Sequence, residues 1–314
     1  MSIAEKDRKQ LKGQGFLSNK DGVHFAARVI TENGVLSAAQ LKNVCEAAEK
    51  FGNGDIAFTS RMTLEVQGIP YENVKDFQEY IAQENLVTGG TGAKVRPVVA
   101  CKGTVCGFGL IDTQKLATEI HKRYYVDYGT LALPHKFKIA VGGCPNNCVK
   151  PDLNDFGIVG QRKPIFQEEL CKGCKKCSVE TACPMGAAKV KDGLLQIDKS
   201  VCNNCGRCIG NCNFNAITDG VQGYKIYLGG RWGKEIRIGS PLAGMFTKEE
   251  AISMIEKALL LYKDQGYAGE RFGVMIDRIG LPAVEAALTN DEILSRKGEI
   301  VQAEIKKRPQ TVNA

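Results

Sequence analysis

The chain has 314 residues, 43% apolar and 25% charged, a balance that fits a globular protein of two modest domains or one domain with a large insertion. No run approaches the ~18 consecutive apolar residues of a membrane helix, and the N-terminal MSIAEKDRKQLKGQG has no apolar core, so neither a membrane span nor a secretory signal is expected and the cytosol is the expected compartment. The net charge of +7 raises the question of a nucleic-acid partner, but Lys and Arg are scattered and form no basic stripe with interleaved aromatics, so none is expected.

In chain order the elements read as a mixed α+β protein. After a polar leader, residues 22–32 read as a strand. Ser37-Ala-Ala-Gln40 is a capping box that opens a helix, and Gly52 stops it; Leu41, Val44, Ala48 and Phe51 recur at helical spacing. Residues 55–69 alternate like one half-buried strand ending at Pro70, and 71–86 read as a second helix. A strand over 95–100, a helix near 111–126 and a strand near 137–142 follow. FGIVG (156–160) and YKIYLGG (224–230) read as strands on either side of a stretch with little apolar periodicity. That stretch reads as a module inserted into a sheet-containing domain. Thr247-Lys-Glu-Glu250 is a second capping box, opening a helix to about Gln265. Residues 270–280 and a helix near 282–288 complete the fold, and the chain after about residue 298 is expected to fray. The expected domains are 1–90, then 91–164 joined with 220–290, the insert 165–219, and a tail 291–314.

Twelve of the 13 cysteines fall into two sets. In the inner set, Cys171-x2-Cys174-x2-Cys177 recurs 31 residues later as Cys202-x2-Cys205-x2-Cys208, and each triplet is followed by a fourth cysteine, Cys183 or Cys212. This is the ligand pattern of a two-cluster ferredoxin, in which the fourth thiolate of each run serves the cluster of the other run. The expected groups are Cys171, Cys174, Cys177 with Cys212, and Cys202, Cys205, Cys208 with Cys183. Close-spaced thiols in a cytosolic chain point to metal ligation over disulfides. The outer set is Cys101-x4-Cys106 and Cys144-x3-Cys148, which by spacing alone could hold zinc or a third cluster. Each oxidised cluster with its four thiolates carries about −2, so three would offset about six positive charges, close to the formal excess.

The residues around the outer set carry a resemblance. Cys144-Pro145-Asn146-Asn147-Cys148 after LPHKFKIAVGG, the Thr-x-Arg-x-Thr core of FTSRMTLEVQGI, VRPVVAC with Arg96 before Cys101, and YKIYLGGRWG together resemble the sulfite and nitrite reductases that couple a siroheme to a 4Fe-4S cluster. The resemblance spans roughly residues 15–285 and is strongest toward the siroheme-bearing subunit of the anaerobic sulfite reductases, which carries a ferredoxin insert. It implies a ferredoxin-like half domain, then a siroheme reductase α/β domain interrupted by a two-cluster ferredoxin module. It implies that Arg61, Arg96, Lys136 and Lys138 hold the oxyanion over the siroheme face. The Lys-x-Lys spacing sets both ammonium groups on one side of a strand. It further implies that Cys101, Cys106, Cys144 and Cys148 hold a third cluster, and that Cys148 is the thiolate shared with the siroheme iron. The implied reaction is six-electron reduction of sulfite to sulfide, or of nitrite to ammonia, fed by electron-donor subunits or a ferredoxin. No GxGxxG follows a strand, so NADH is not expected to bind this chain itself.

The sequence departs from the family pattern in three places: Cys-x4-Cys stands for Cys-x5-Cys, Met62 for Gln, and His135 for Arg. The chain also holds one copy of a unit that larger relatives carry twice, with cations from one copy and the working cluster from the other. A homodimer, or pairing with a related subunit, is therefore expected. Arg231 is a candidate partner for a siroheme carboxylate, with Gly229, Gly230 and Gly233 giving the backbone room to approach. Cys45 is expected to be a buried structural thiol, His24 and His121 are expected to be structural or surface residues, and His135 could relay a proton. The competing function is a three-cluster electron carrier without catalytic haem, which leaves the four cations without a role. A zinc-binding interaction protein is a third possibility that brown colour would exclude.

Overall fold

The computed structural model describes residues 3–309. Helix α1 (Glu5–Gly13) and strand β1 (Phe16–Ser18) precede the expected first strand, β2 (His24–Val29). The described part of the polar leader packs on the fold: Leu11 is buried, and Thr91 donates a hydrogen bond to the Lys12 carbonyl. The Ser37 box caps α2 (Ala38–Phe51) as expected, with both reciprocal hydrogen bonds made. Residues 55–69 form a hairpin, β3 (Ile56–Phe58) and β4 (Leu64–Pro70), where one strand was expected. The period-2 pattern runs through the turn, but Met62 takes a positive φ and reverses the chain. With α3 (Val74–Ala82) these elements make an antiparallel sheet of order β1-β2-β4-β3, backed by α2 and α3. Phe16, Phe25, Val44, Ala48, Val66, Ile69, Phe77 and Ile81 fill its core. On α2 the buried residues are Asn43, Val44, Ala47 and Ala48; Cys45 lies a helical step off that face and is exposed, contrary to the expectation of a buried thiol.

The second sheet has order β11-β10-β7-β6-β5. Strands β5 (Val99–Ala100), β6 (Ile139–Gly142) and β7 (Phe156–Pro164) are parallel. Helix α4 (Thr113–Ile120) crosses between β5 and β6 and ends in a π-helical turn over His121–Val126, so the expected helix to 126 is regular only in its first half. The inserted module starts where β7 ends. It contains α5 (Ser178–Ala182) and the hairpin β8 (Ala188–Lys191) and β9 (Leu194–Ile197). The chain returns as β10 (Gly220–Leu228), antiparallel to β7 over its whole length, from Pro164 opposite Gly220 to Phe156 opposite Leu228. The module is therefore the head of one long hairpin. Val179, Ala188, Leu195 and Ile217 give it a small apolar core, against which Cys171, Cys177, Cys183, Cys208 and Cys212 pack.

Strand β11 (Ser240–Pro241), α6 (Lys248–Gln265, capped by the Thr247 box), α7 (Phe272–Ile279) and α8 (Leu281–Thr289) close the second core around Phe137, Phe156, Ile226, Leu259, Tyr262 and Phe272. The expected fraying after residue 298 is not seen over the described residues. Helices α9 (Glu292–Ser295) and α10 (Lys297–Gln302) bury Ile293 and Ile300 in the same core, and the Lys306 carbonyl accepts from the Ala268 N–H at 2.8 Å. Residues 310–314 lie outside the described residues. The architecture is α+β, as expected.

Candidate active site

The Thr-x-Arg-x-Thr motif is a turn with a structural logic. Thr59 and Thr63 face each other across the β3–β4 turn with hydroxyls 2.7 Å apart, and the Thr59 hydroxyl also accepts from the N–H groups of Arg61 and Thr63 at 3.2 Å. This staple projects Arg61 out of the first sheet toward the second. There its guanidinium donates to the Pro97 carbonyl from Nε (3.0 Å) and Nη2 (2.6 Å), to the Ile139 carbonyl (2.9 Å) and to Asn154 Oδ1 (2.9 Å). Of five guanidinium N–H donors, one on Nη1 is left. Burial lowers its pKa to about 10.

Arg61 enters a cleft shared with Arg28, Arg96, Lys136 and Lys138, so all four expected cations converge, from segments far apart in the chain. Arg96 donates to the Gly90 carbonyl, while its Nε is buried without a partner. Lys136 and Lys138 flank Phe137, which is fully buried, so the two ammonium groups share the opposite side of the segment entering β6. Burial pushes the pKa of both down, with Arg271 and Arg96 adding to the shift at Lys136; for Lys138 it falls to about 8, helped by Arg61 and Lys136. A cluster of cations this dense raises the cost of each charge and holds protons loosely.

The sequence reading missed three charged neighbours. Arg28 lines the cleft and pairs with Glu65; its one signal was an arginine inside the apolar strand HFAARVI. Asp155 is fully buried and accepts from the Lys138 backbone N–H (2.9 Å) and from Arg271 (3.0 Å to each oxygen). Burial pushes its carboxyl up, against the pull of Arg271 and Lys138. Nothing near Asp155 or Arg271 in sequence marks either, because α7 and β7 meet only in the fold. His135 accepts from the Lys136 N–H at 2.7 Å, and burial, Arg271, Lys136 and Arg96 all lower its pKa. It borders the cations but does not line the cleft.

The outer thiols stand at the other end of the same strands. Cys101 follows β5 directly, and Cys144 and Cys148 lie in the loop after β6. The Gly143 N–H donates to Cys101 Sγ at 3.1 Å. A Cβ on Gly143 would lie 2.9 Å from the Gly103 Cα, so the two loops close on each other only because both positions are glycine. Burial raises the Cys144 thiol, and the nearby Cys101, Cys148 and Cys106 raise it further. Asn147 holds the loop in a left-handed conformation and donates to Asp152 at 2.8 Å, while its Oδ1 stays buried without a partner. Cys148 alone of the four is exposed.

In the insert, Cys183, Cys202, Cys205 and Cys208 line one small cavity with Met185, Ala188 and Ile197. Burial and the neighbouring Cys202, Cys205 and Cys183 push the Cys208 thiol up to about 11. Burial would also raise Cys183, but backbone N–H groups of Ala188, Met185, Ala187 and Gly186 outweigh it and hold that thiol low. These amides suit a thiolate bound to iron. Among the described residues no three His, Cys, Asp or Glu side chains are grouped closely enough to hold a single metal ion.

Arg231 does not join the cationic cleft: it pairs with Glu235, and its Nε is buried without a partner. The missing side chains of Gly229 and Gly230 are needed for protein packing, against Ile276 and Gly273 and against the Asp152 carbonyl; Gly233 faces open space. His24 pairs with Asp21, and His121 is buried against Tyr125.

The nitrite/sulfite reductase ferredoxin-like half domain matches residues 18–84, and the nitrite and sulphite reductase 4Fe-4S domain matches residues 91–293. A coenzyme F420-dependent sulfite reductase of Methanocaldococcus jannaschii is 32% identical over 85% of this chain, which spans 42% of that protein. A subunit of the anaerobic sulfite reductase of Salmonella typhimurium is 30% identical over 46% of this chain and 45% of its own length. The crystal structure of dissimilatory sulfite reductase I shares the fold, with a TM-score of 0.68 at 22% identity over 91% of this chain and 72% of that one. The chain belongs to the nitrite and sulphite reductase family, with the family's ferredoxin-like half domain placed before its 4Fe-4S domain.

Proposed function

We propose that this chain is the siroheme-bearing part of a sulfite reductase, taking sulfite to sulfide with six electrons and releasing three oxygens as water. The observation that carries the reading is the convergence of Arg96, Lys136 and Lys138 in one cleft, with neither ammonium group in an ion pair among the described residues. A structural cluster of this kind would be neutralised; this one is left cationic where an anion can approach. When bound, siroheme supplies the iron that holds the substrate and delivers electrons to it. The chain's own work is electrostatic and acid–base. Arg96 and the two lysines hold the oxyanion, and Lys136 and Lys138, with lowered pKa values, donate protons to the departing oxygens. Arg61, mostly spent on protein carbonyls, positions the β3–β4 turn and keeps one N–H for the anion. Asp155 sets the strand backbone at Lys138 and partly balances the charge.

We assign Cys101, Cys106, Cys144 and the exposed Cys148 to a 4Fe-4S cluster, with Cys148 as the thiolate shared with siroheme. The insert holds two more clusters, on Cys171, Cys174, Cys177 and Cys212, and on Cys202, Cys205, Cys208 and Cys183. The domains divide as 1–90, 91–164 with 220–290, 165–219 and 291–314, with α9 and α10 of the last packed on α6. From Lys138 along β6 to Cys144 is roughly 20 Å of extended chain. The cations and thiols of one chain therefore sit too far apart to act on the two faces of one tetrapyrrole, and a second copy or related subunit completes each site. No described helix is long and apolar enough to cross a membrane; we place the protein in the cytosol, where thiols stay reduced. Nitrite, needing the same electron count and the same cations, is the second substrate.

The visible spectrum of anaerobically purified protein tests this. A siroheme band with sulfite-dependent oxidation of reduced protein is expected; iron–sulfur absorption alone would leave only an electron carrier. Cys174→Ser is expected to spare sulfite turnover with a strong artificial reductant and to impair it with the natural protein donor. Equal loss with both donors would make the insert a structural element.

A further inference from the structure

The two four-thiol groups of the insert are not equivalent in the fold. The chain around Cys205 is laid along β7. The Arg162 N–H donates to the Asn204 carbonyl at 2.7 Å, the Gln161 side chain donates to the Asn203 carbonyl at 3.2 Å, and it accepts from Asn204 Nδ2 at 3.3 Å. Arg162 and Cys205 form a parallel bridge. Two residues earlier on the same strand, Gly160 abuts the Gly143 carbonyl, next to Cys144; a Cβ there would come within 2.7 Å of it. At the far edge of this contact Arg207, between Cys205 and Cys208, places its guanidinium 4.9 Å from the ring centre of Phe108, two residues after Cys106. Phe108 keeps half its surface exposed, so the ring is not there to fill a core. Cys171, Cys174 and Cys177 lie on the loop before α5, which none of these ties touches.

We propose that the Arg207–Phe108 contact fixes the order of the electron relay. The group held by Cys183, Cys202, Cys205 and Cys208 is the inner relay, and the group held by Cys171, Cys174, Cys177 and Cys212 is the outward one that meets the donor. The inference rests on the assignment of three iron–sulfur clusters made above. In the transfer one electron leaves the inner relay, which is oxidised by one unit, and reaches the group held by Cys101, Cys106, Cys144 and Cys148, which is reduced by one unit. No bond is made and no proton moves. A low-potential one-electron donor replenishes the chain through the outward group. Phe108 and Arg207 are positioning residues. Tunnelling falls steeply with distance, and a cation stacked on a ring holds the two thiol-bearing loops at contact. The guanidinium beside Cys205 and Cys208 also favours the reduced, more negative state of the inner relay.

The test is low-temperature EPR of the dithionite-reduced holoprotein. Interaction between the inner relay and the outer-set spin is expected to broaden the wild-type signal. Phe108→Leu and Arg207→Gln are expected to narrow it at unchanged iron and sulfide content, and Phe108→Tyr, which keeps the ring, to restore it. Loss of an exposed cation–π contact corresponds to a roughly twofold to fivefold fall in the docked population, and the rate at which the outer set is reduced after mixing should fall by a similar factor. Full iron content with an unchanged line shape in both Phe108→Leu and Arg207→Gln would overturn the proposed order. The wild-type visible spectrum separately decides the functional reading: without a siroheme band the reductase assignment falls, and the EPR comparison still decides the relay.

Discussion

Lys138→Ala is expected to cut sulfite turnover by about 10²–10³-fold, the loss typical of one preorganised charge donor at a developing oxyanion. The siroheme band and the iron content should not change, because among the described residues the Lys138 side chain makes no hydrogen bond or ion pair; its tie to Asp155 is through the backbone N–H, which alanine keeps. The folded protein should become no less stable. Lys138 has its pKa lowered to about 8 by burial and by Arg61 and Lys136. A lysine whose folded pKa lies below its unfolded value costs stability once it is protonated, and that cost is present in full below about 8. Removing the charge therefore relieves the fold at neutral pH while stripping the site, the trade-off expected of a functional cation. The same pKa sets a pH dependence. The ammonium form, which binds the anion and donates the proton, is present below about 8 and lost above it, so kcat/KM should fall as pH rises through 8. In Lys138→Ala that limb should disappear. Turnover within a few-fold of wild type, or an unchanged alkaline limb, would remove Lys138 from the chemistry.

The parts of this site that were legible in the sequence are those where chemistry depends on local spacing. Lys136 and Lys138 lie two apart on an extended segment, so they must share a side. Two-residue gaps leave the thiols of a triplet little choice, and Cys202, Cys205 and Cys208 line one cavity with Cys183. The capping boxes at Ser37 and Thr247 carry their own hydrogen-bond logic and formed as read. What was not legible depends on pairing across the chain. Asp155 and Arg271 meet because α7 packs beside the start of β7, and Arg28 reaches the cleft through the pairing of β2 with β4. The 55–69 segment misled because alternation continues through a turn whose determinants, two threonine hydroxyls and the backbone of Met62, have no apolar signature. The C-terminal helices misled because their buried residues, Ile293 and Ile300, are too few to make a pattern. Arg61 was found by resemblance, yet its hydrogen bonds show a more structural part than the resemblance implied: three carbonyl contacts and Asn154 hold it.

Two inactive variants are expected to restore each other. Cys148→Ser should abolish turnover by removing the thiolate proposed to join cluster and siroheme, and Lys138→Ala should nearly do so from the other end of β6. If each site takes its cations from one copy and its thiols from another, a mixed dimer has one site carrying both lesions and one carrying neither. Random exchange of equal amounts makes half the dimers mixed, each with one working site of two, so activity should recover to about a quarter of wild type. The recovery follows from the roughly 20 Å between Lys138 and Cys144 within one chain, too long for a tetrapyrrole iron to touch the shared thiolate while its substrate touches the ammonium groups. A site within a single chain predicts no recovery at any mixing ratio. A site completed by a different subunit predicts the same silence, broken only when that subunit is added. The experiment therefore separates three architectures by one measured rate, provided that differently tagged copies confirm that mixed dimers have formed.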